Sequence, residues 1–288
     1  MNALNALVSA NDLKIQLEIS DPKTVVVDAT MHLPTANRNA LQEYEEAHIP
    51  TAVFFDIDKI ADTSSDLPHM LPSAQEFSNT VAGLGIGKNT PVVVYDTVGL
   101  YSAARVWWMF RVFGHNAVQV LDGGLPAWQA KGYALEAGSV DAIVSQNPIE
   151  ATLSEESVAS AQAVREAIGS SNTTKILDAR SKARFDGVAP EPRKGLRSGH
   201  MPGAYSLPFT ELLTTNDEKI IRLKSVDALK AVFDNCGVEP NDSVITSCGS
   251  GVTAAVLTLG LHVVGYNEGQ LYDGSWVDWG SRSDTPIE

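Results

Sequence analysis

The sequence predicts an α/β protein of two similar domains, each a mainly parallel sheet flanked by helices. The chain has 288 residues, which exceeds one average domain and suits two of about 140 residues. Several motifs occur twice in the same order. Short β-branched runs alternate with longer amphipathic stretches, as in strands joined by crossover helices.

The repeat is carried by three pairs of motifs. VVVDAT (25–30) returns as KILDAR (175–180), AHIPTAVFFDI (47–57) as GHMPGAYSLPF (199–209), and VLDGGLPAW (120–128) as LYDGSWVDW (271–279). Matching residues stand 150 to 152 positions apart. Any two α/β domains share a loose likeness, but conserved order and spacing favour a duplication.

The β-branched runs predict four strands in each half. These strands are expected over 25–29, 52–57, 91–96, 117–123, 175–180, 204–209, 243–248 and 270–274. Amphipathic stretches, several with a Ser near the start and a Gly at the end, predict helices. The helices are expected over 74–85, 102–114, 156–169, 225–237 and 253–261.

A stretch of small and polar residues separates the two halves. EAGSVDAIVSQNPIEATLSE (136–155) has neither strand nor helix periodicity, so we interpret it as the linker. A division near residue 145 gives an N-terminal domain over 1–145 and a C-terminal domain over 146–288.

Charge and composition narrow the function classes. The formal net charge of -14 disfavours nucleic acid or an anionic membrane as partner, because both need a positive surface. The six histidines are scattered and no HExxH or CxxC spacing is present, so we expect no metal or cofactor. No targeting segment or membrane span is visible. With only two cysteines and no disulfide framework implied, we expect a reducing, cytoplasmic location.

Cys248 begins the most informative segment of the chain. CGSGVTA (248–254) lies between strand-like SVIT and helix-like AVLTLGLHVV. In such a loop, backbone N–H groups and the positive end of the helix dipole favour the thiolate, the reactive form of cysteine. Gly249 and Gly251 remove Cβ atoms that would obstruct the curvature of the loop or the approach of a ligand.

The alternative for Cys248 is a buried core residue, as free cysteines often are. Its position at the carboxyl end of a parallel strand, where α/β proteins bind ligands, favours a nucleophile instead. Asp96 stands at the matching place in the first half, so only the second half can perform thiol chemistry. Cys236, near a helix end, is interpreted as structural.

Together, the repeat, the cysteine-free first copy and CGSGVTA resemble the two-domain rhodanese-type sulfurtransferases. The likeness covers nearly the whole chain and includes NRNALQEYEEAHIP, FFDID, LPHMLP, VWWMFRVFGH, GHMPGA and YDGSWVDWG. It implies tandem rhodanese-like domains, the second of them catalytic. It also implies that Cys248 carries sulfur as a persulfide from 3-mercaptopyruvate to a thiol or cyanide acceptor, with release of pyruvate.

The resemblance also implies roles for residues outside the cysteine loop. Arg184 and Arg193, in ARFDGVAPEPRKG, would hold the carboxylate and keto group of mercaptopyruvate, which suits the fork of a guanidinium. Asp58 and His69 of the first domain would form a proton relay with Ser250 and Cys248. Without the resemblance, the arginines would be solvated loop residues, Asp58 a helix cap and His69 a loop histidine.

The rest of the cysteine loop completes the predicted site. Gly249, Gly251, Val252 and Thr253 are expected to contact the substrate. Thiosulfate-specific rhodaneses carry basic residues directly after the cysteine, where this chain has Gly249 and Ser250, so thiosulfate is the second candidate donor. The family suggests a thioredoxin-like dithiol as the acceptor.

Two further classes remain as alternatives. A Cys-loop phosphatase would need an Arg closing the loop a few residues after the cysteine, where this chain has Thr253, Ala254 and Ala255. A non-catalytic persulfide-binding module is the other alternative. Degenerate copies usually lose the cysteine, as the first half has done.

Overall fold

A computed structural model describes residues 6–19, 23–140, 142–169 and 174–288. Over these residues the chain forms two five-stranded parallel sheets and one antiparallel hairpin. The strands of the first half are β1 (Leu7–Val8), β2 (Val25–Asp28), β3 (Val53–Phe54), β4 (Val92–Tyr95) and β5 (Val118–Leu121). Those of the second half are β6 (Val158–Ala159), β7 (Lys175–Asp178), β8 (Tyr205–Ser206), β9 (Leu213–Thr215), β10 (Ile221–Leu223), β11 (Val244–Ser247) and β12 (Gln270–Tyr272).

Strand order is the same in the two sheets, as a duplication requires. The first sheet runs β1-β5-β4-β2-β3 and the second β6-β12-β11-β7-β8, and the second half also forms the separate hairpin β9–β10. The sheet neighbours are parallel in both halves. The predicted α/β class is therefore confirmed, and all eight predicted strands are present.

Ten α-helices are found in the described part of the chain. The first half contributes α1 (Ala10–Ile19), α2 (Ala40–Glu46), α3 (Ala74–Gly83), α4 (Ala103–Val112) and α5 (Gly124–Ala130). The second contributes α6 (Ala161–Gly169), α7 (Lys182–Phe185), α8 (Val226–Asn235), α9 (Ala254–Val264) and α10 (Ser275–Ser281).

One predicted helix begins later than expected. Residues 156–169 were expected to be helical throughout, but α6 begins only at Ala161. Val158 and Ala159 instead pair with Leu271 and Tyr272 of β12 as the edge strand β6. Ser160, rather than an earlier serine, accepts the N–H of Ala163 at 3.1 Å and starts the helix. Pairing with a neighbouring strand outweighs the helical preference of these few residues.

The largest hydrophobic core contains residues of both halves, and each half also has a smaller core of its own. Helices α4 and α9 pack against each other, and each also packs against its own sheet. Every residue of α4 except Arg111 and every residue of α9 except His262 is buried. A helix that is apolar on all sides is buried on all sides, so this pair of helices fixes the halves against one another and positions the loops at the strand ends.

The described residues of the predicted linker form no α-helix and no strand of a sheet, although Glu136 bridges to His48 and Glu155 begins a 3-10 helix. The linker packs along the first half. The N–H of Ser145 donates to the carbonyl of Ala82, and the N–H of Ser154 donates to that of Val112, at 2.9 and 2.8 Å. Ile149 is buried there. The division at residue 145 stays a prediction.

Two negative findings concern the described residues alone. None of their helices is long and apolar enough to cross a membrane. They also contain no group of three or more His, Cys, Asp or Glu side chains arranged to hold a metal ion.

Candidate active site

The loop after β11 is fixed from behind by Ser275, the first residue of α10. The N–H groups of Cys248 and Gly251 each donate to the Ser275 hydroxyl oxygen at 3.1 Å. The hydroxyl in turn donates to the carbonyl of Tyr272 at 2.8 Å. Ser275 is fully buried with φ 48°, a left-handed backbone that side chains rarely adopt. The Ser275 hydroxyl therefore holds Cys248 and Gly251 in place at the start of the cysteine loop.

Sequence comparison within the repeat could have signalled Ser275. It aligns with Gly124 of the first half, and that glycine has a similar φ of 53°. A serine at a place suited to glycine stores backbone strain, which persists where the surroundings require the side chain. Here the requirement is the hydroxyl acceptor for the cysteine loop.

Cys248 faces a cavity of about 410 Å³ between the two halves. The thiol residue is only 2% exposed, so a reactant reaches it through this cavity. The second half lines it with the cysteine loop, Arg184 and Arg193, and the first half contributes Met31, Leu33 and Tyr101. Of the predicted loop residues, those lining the cavity are Cys248, Gly249, Ser250, Val252 and Thr253.

Gly251 lies on the opposite side of the loop. A Cβ atom there would stand 2.9 Å from the carbonyl oxygen of Asp273 and 3.1 Å from Nη1 of Arg105. The φ of Gly251 is 75°, a conformation that favours glycine. This glycine therefore lets the loop pack closely against the protein behind it, and it does not line the cavity that Cys248 faces.

Backbone N–H groups of the cysteine loop are free to bind an anion. Those of Ser250, Val252 and Thr253 meet no acceptor among the residues that the structure describes. In the first half, the carboxylate of Asp96 fills the equivalent loop and accepts four N–H groups at 2.7 to 3.0 Å. The donors are Val98, Gly99, Tyr101 and Ala103. The second loop has the same fold without an internal anion, so it is suited to a negative charge at the end of the Cys248 side chain.

The two predicted residues of the first domain reach the cysteine loop. Nδ1 of His69 lies 3.1 Å from the hydroxyl oxygen of Ser250. Nε2 of the same ring lies 3.0 Å from Oδ1 of Asp58. The hydrogen bond from His69, aided by the charges of His69 and Arg193 and opposed by burial, lowers the pKa of Asp58. The three side chains thus form a continuous chain from Ser250 to a carboxylate whose side chain is 70% exposed.

The two predicted arginines differ in how they are held. Nη2 of Arg184 lies 2.5 Å from Oε2 of Glu191, whose side chain is 2% exposed. Glu191 also pairs with Nη1 of the buried Arg180 at 2.8 Å. Arg184 is pressed so closely against the cysteine loop that a Cβ at Gly249 would stand 3.0 Å from its Nη2. Arg193 is half-buried in the cavity wall, and no salt bridge joins it to another described residue.

Tyr101 is a cavity residue that sequence reasoning missed. Burial, together with the negative charges of Cys248 and Asp96, raises the pKa of its phenol to about 12. The hydroxyl therefore stays protonated near neutral pH. The N–H of Tyr101 donates to the carboxylate of Asp96 at 2.7 Å. Asp96 therefore also fixes the backbone that places the Tyr101 ring in the cavity wall.

Comparisons with known proteins agree with this architecture. The model of the rhodanese-like domain matches residues 10–131 and again residues 160–282. The 3-mercaptopyruvate sulfurtransferase of Escherichia coli strain K12 is 43% identical over 271 residues, covering 94% of each chain. The mitochondrial thiosulfate/3-mercaptopyruvate sulfurtransferase 1 of Arabidopsis thaliana is 42% identical over 95% of this chain and 76% of its own.

A solved structure matches equally well. The crystal structure of SseA from Escherichia coli, described as showing the fold and mechanism of 3-mercaptopyruvate sulfurtransferases, superposes with a TM-score of 0.83. It is 40% identical, and the match covers 94% of this chain and 99% of that one.

Proposed function

Because this chain belongs to the family of proteins with rhodanese-like domains, we propose that it transfers sulfur from 3-mercaptopyruvate to a thiol acceptor and releases pyruvate. One observation carries the proposal: the free N–H groups of the Cys248 loop, Arg184 and Arg193 face the same cavity. Two sequence relatives named above carry 3-mercaptopyruvate sulfurtransferase in their names.

In the first half-reaction, the thiolate of Cys248 attacks the sulfur of mercaptopyruvate. An S–S bond forms, the bond between that sulfur and C3 breaks, and its electron pair remains on pyruvate as the enolate. A proton then converts the enolate to pyruvate. Ser250 lines the cavity and would supply it, and His69 and Asp58 behind Ser250 replenish the proton from solvent.

The arginines orient the donor for this attack. A guanidinium binds a planar carboxylate through two parallel hydrogen bonds, and Arg193 has no competing salt bridge among the described residues. Arg184 is placed against Gly249 by Glu191, close to the reacting sulfur. It is therefore the better placed of the two to stabilise the oxygen of the developing enolate.

In the second half-reaction, an acceptor thiolate attacks the outer sulfur of the persulfide and regenerates the Cys248 thiolate. The free N–H groups of the loop stabilise the anion in both states. A thioredoxin-like dithiol would take up the outer sulfur as a persulfide on one of its own thiols, and its second thiol would then form the disulfide and release sulfide. We also propose a reducing, cytoplasmic location, supported by the two free cysteines. Fractionation would test it, because one relative is mitochondrial.

Thiosulfate is the second candidate donor, and one observation favours it. Arg184 lies directly against the loop that otherwise has only neutral residues after Cys248, so a cation is present near the sulfur. Glu191 compensates that charge at 2.5 Å, which disfavours a doubly charged inorganic donor relative to mercaptopyruvate.

The test is to measure pyruvate and sulfide release from 3-mercaptopyruvate with a dithiol, beside thiocyanate formation from thiosulfate with cyanide. We expect mercaptopyruvate to be preferred by orders of magnitude in kcat/KM. Preference for thiosulfate would contradict the assignment of Arg184 and Arg193. Absence of turnover with both donors would favour a non-catalytic persulfide-binding module.

A further inference from the structure

A buried ion pair joins the two halves directly behind the proton relay. Nη1 of Arg105, in α4, lies 2.7 Å from Oδ1 of Asp273, which follows β12. The side chains are 0% and 4% exposed. The guanidinium also lies over the ring of Trp108, 4.6 Å from its centroid. Neither residue lines the cavity in front of Cys248, so the pair does not belong to the substrate-binding surface.

The pair contacts the backbone at His69 and at Leu71, two residues further along the chain. Nη2 of Arg105 donates to the carbonyl of His69 at 2.6 Å. Oδ2 of Asp273 accepts the N–H of Leu71 at 2.8 Å. His69 itself has φ 61°, an unfavourable conformation for a residue with a side chain. The side chains of Arg105 and Asp273 therefore fix the strained backbone of His69 and Leu71 at two points. The backbone conformation that they fix places the imidazole of His69 against Ser250.

The same pair contacts the cysteine loop. Nη1 of Arg105 donates to the carbonyl of Gly251 at 3.3 Å. A Cβ on Gly251 would stand 2.9 Å from the carbonyl oxygen of Asp273. One guanidinium thus holds the carbonyl of His69 from the first half and the loop that carries Ser250 from the second half.

Comparison of the two halves shows which contacts of this arrangement occur in both of them and which occur only beside the cysteine loop. Asp122, the first-half counterpart of Asp273, accepts the N–H of Leu223 at 3.1 Å. Leu223 is the counterpart of Leu71, 152 positions later. Each half therefore captures a segment of the other through the same contact between an Asp carboxylate and a Leu N–H.

The cations at the two contacts differ in burial. Asp122 pairs with Arg222, which comes from the same half as Leu223 and whose side chain is 29% exposed, whereas Asp273 pairs with the fully buried Arg105. At the offset of 152 that relates Asp96 to Cys248, the counterpart of Arg105 is the buried Leu257, and the counterpart of His69 is Ile221. Both of these second-half counterparts are apolar, and Ile221 lies beside Gly99 of the Asp96 loop, which has no nucleophile. Burying a guanidinium costs free energy that an apolar side chain such as Leu257 does not cost. The presence of Arg105 beside the cysteine loop therefore calls for a role beyond joining the domains.

We propose that Arg105 and Asp273 are positioning residues that hold His69 in its left-handed conformation and in register with Ser250. This proposal rests on the function proposed above. Arg105 acts through the backbone of His69 and never touches the substrate. The fork of its guanidinium is essential, because a single ammonium cannot reach Asp273 and the His69 carbonyl with the same geometry.

The test compares Arg105→Lys and Asp273→Asn with Asp122→Asn, the matched change at the structural contact. We expect the first two to lower kcat with 3-mercaptopyruvate about 10- to 100-fold, the range of a weakened general acid. KM for mercaptopyruvate should stay within about twofold, because Arg184 and Arg193 are untouched. Asp122→Asn should lower the melting temperature without lowering kcat.

A double-mutant cycle distinguishes positioning from general loss of structure. In a Ser250→Ala background the relay is already broken, so Arg105→Lys should lower the remaining rate less than about twofold. An equal loss in both backgrounds would overturn the proposal.

An NMR measurement that needs no enzyme turnover also tests the proposal in a variant that is destabilised or inactive. The ring resonances of His69, observed by NMR with ¹⁵N-labelled histidine, should shift in Arg105→Lys and Asp273→Asn and stay in place in Asp122→Asn. Unchanged resonances in all three variants would overturn the proposal. If wild type has no activity with mercaptopyruvate, the proposed function fails, and this comparison still decides the role of the ion pair.

Discussion

Asp96 and Cys248 occupy equivalent positions in the two halves, but only Asp96 supplies its own anion to the loop that follows it. The Asp96 carboxylate binds four backbone N–H groups, whereas the Cys248 loop leaves N–H groups free beside a cavity. The two copies therefore show the same anion-binding loop in a closed and an open form. The open form suits a sulfur atom that gains and loses a second sulfur during each turnover.

Replacement of the nucleophile tests the centre of the proposed mechanism. Cys248→Ser should reduce pyruvate release from 3-mercaptopyruvate to background, because a neutral serine hydroxyl is a far weaker nucleophile toward sulfur than a thiolate. The matched control is Cys236→Ser. Burial raises the pKa of the Cys236 thiol, which disfavours its thiolate, so this variant should retain wild-type activity. Full activity in the Cys248 variant would contradict the persulfide mechanism.

Much of the fold followed from the sequence, because central strands and buried helices have strong patterns. All eight β-branched runs form strands, and the alignment of Asp96 with Cys248 correctly identified two equivalent loops. The edge strands β1 and β6 were missed because each has two residues and lies in no longer β-branched run, whereas the equally short β3 and β8 lie within the runs over 52–57 and 204–209. The start of α6 was wrong for the same reason, since β6 lies inside the predicted helix.

Within the site, the sequence identified residues near the nucleophile better than the residues that hold them. Most of the loop and the two arginines line one cavity, and His69 links Asp58 to Ser250. The roles that the resemblance implies for these residues stay predictions. Glu191, Tyr101 and Arg105 were missed. Glu191 is a buried carboxylate within the loop of the two arginines, Tyr101 reaches the cavity from the first half, and Arg105 pairs with the distant Asp273. Their chemistry depends on burial, which a local motif does not show.

The difference between the two cavity arginines predicts different kinetic effects. Arg193→Ala should raise KM for mercaptopyruvate about 10- to 100-fold, the loss of a charge-assisted contact of about 1.5–3 kcal/mol. Arg184→Ala should lower kcat as well, because Arg184 lies against Gly249 beside the reacting sulfur. KM for the acceptor should stay unchanged in both variants.

Lys194→Ala is the matched control for the arginine variants. This neighbouring side chain is exposed and does not line the cavity, so its removal should leave both constants near wild type. A rise in acceptor KM in Arg193→Ala, with donor KM unchanged, would contradict the assignment of Arg193 to the donor.

The pair of His69 and Asp58 makes a prediction about acid titration. His69 lowers the pKa of Asp58 from its ordinary value of 3.8, so the folded state binds this proton less readily than the unfolded state does. The stabilisation is therefore present above pH 3.8 and is lost as the pH falls through the lowered pKa. The Asp58 side chain is 70% exposed, so solvent screens the pair and the effect on stability should be small.

The measurement is an NMR titration of the Asp58 carboxyl carbon. Its midpoint should lie below 3.8 in wild type and return toward 3.8 in His69→Gln. The exposed Glu156, whose pKa is lowered by local hydrogen bonds and not by His69, serves as an internal control whose midpoint should not move. Identical Asp58 midpoints in the two proteins would show that the imidazole does not interact with this carboxylate. Because Asp58 stays ionised well into the acidic range, an activity loss between pH 5 and 7 would have to come from another group.

Removing the charge from Asp96 tests whether the closed loop supports the open one. In Asp96→Asn, one carboxylate oxygen becomes an NH₂ group facing backbone N–H donors, so two donors lose their acceptor. We expect the free energy of unfolding to fall by about 2–4 kcal/mol, measured by guanidinium denaturation. Asp217→Asn, at an exposed carboxylate, should change it by less than about 0.5 kcal/mol.

Tyr101 is held by Asp96 and lines the cavity of Cys248, so the Asp96 variant should also raise KM for mercaptopyruvate. A stability loss with unchanged kinetics would show that the first loop supports the fold alone.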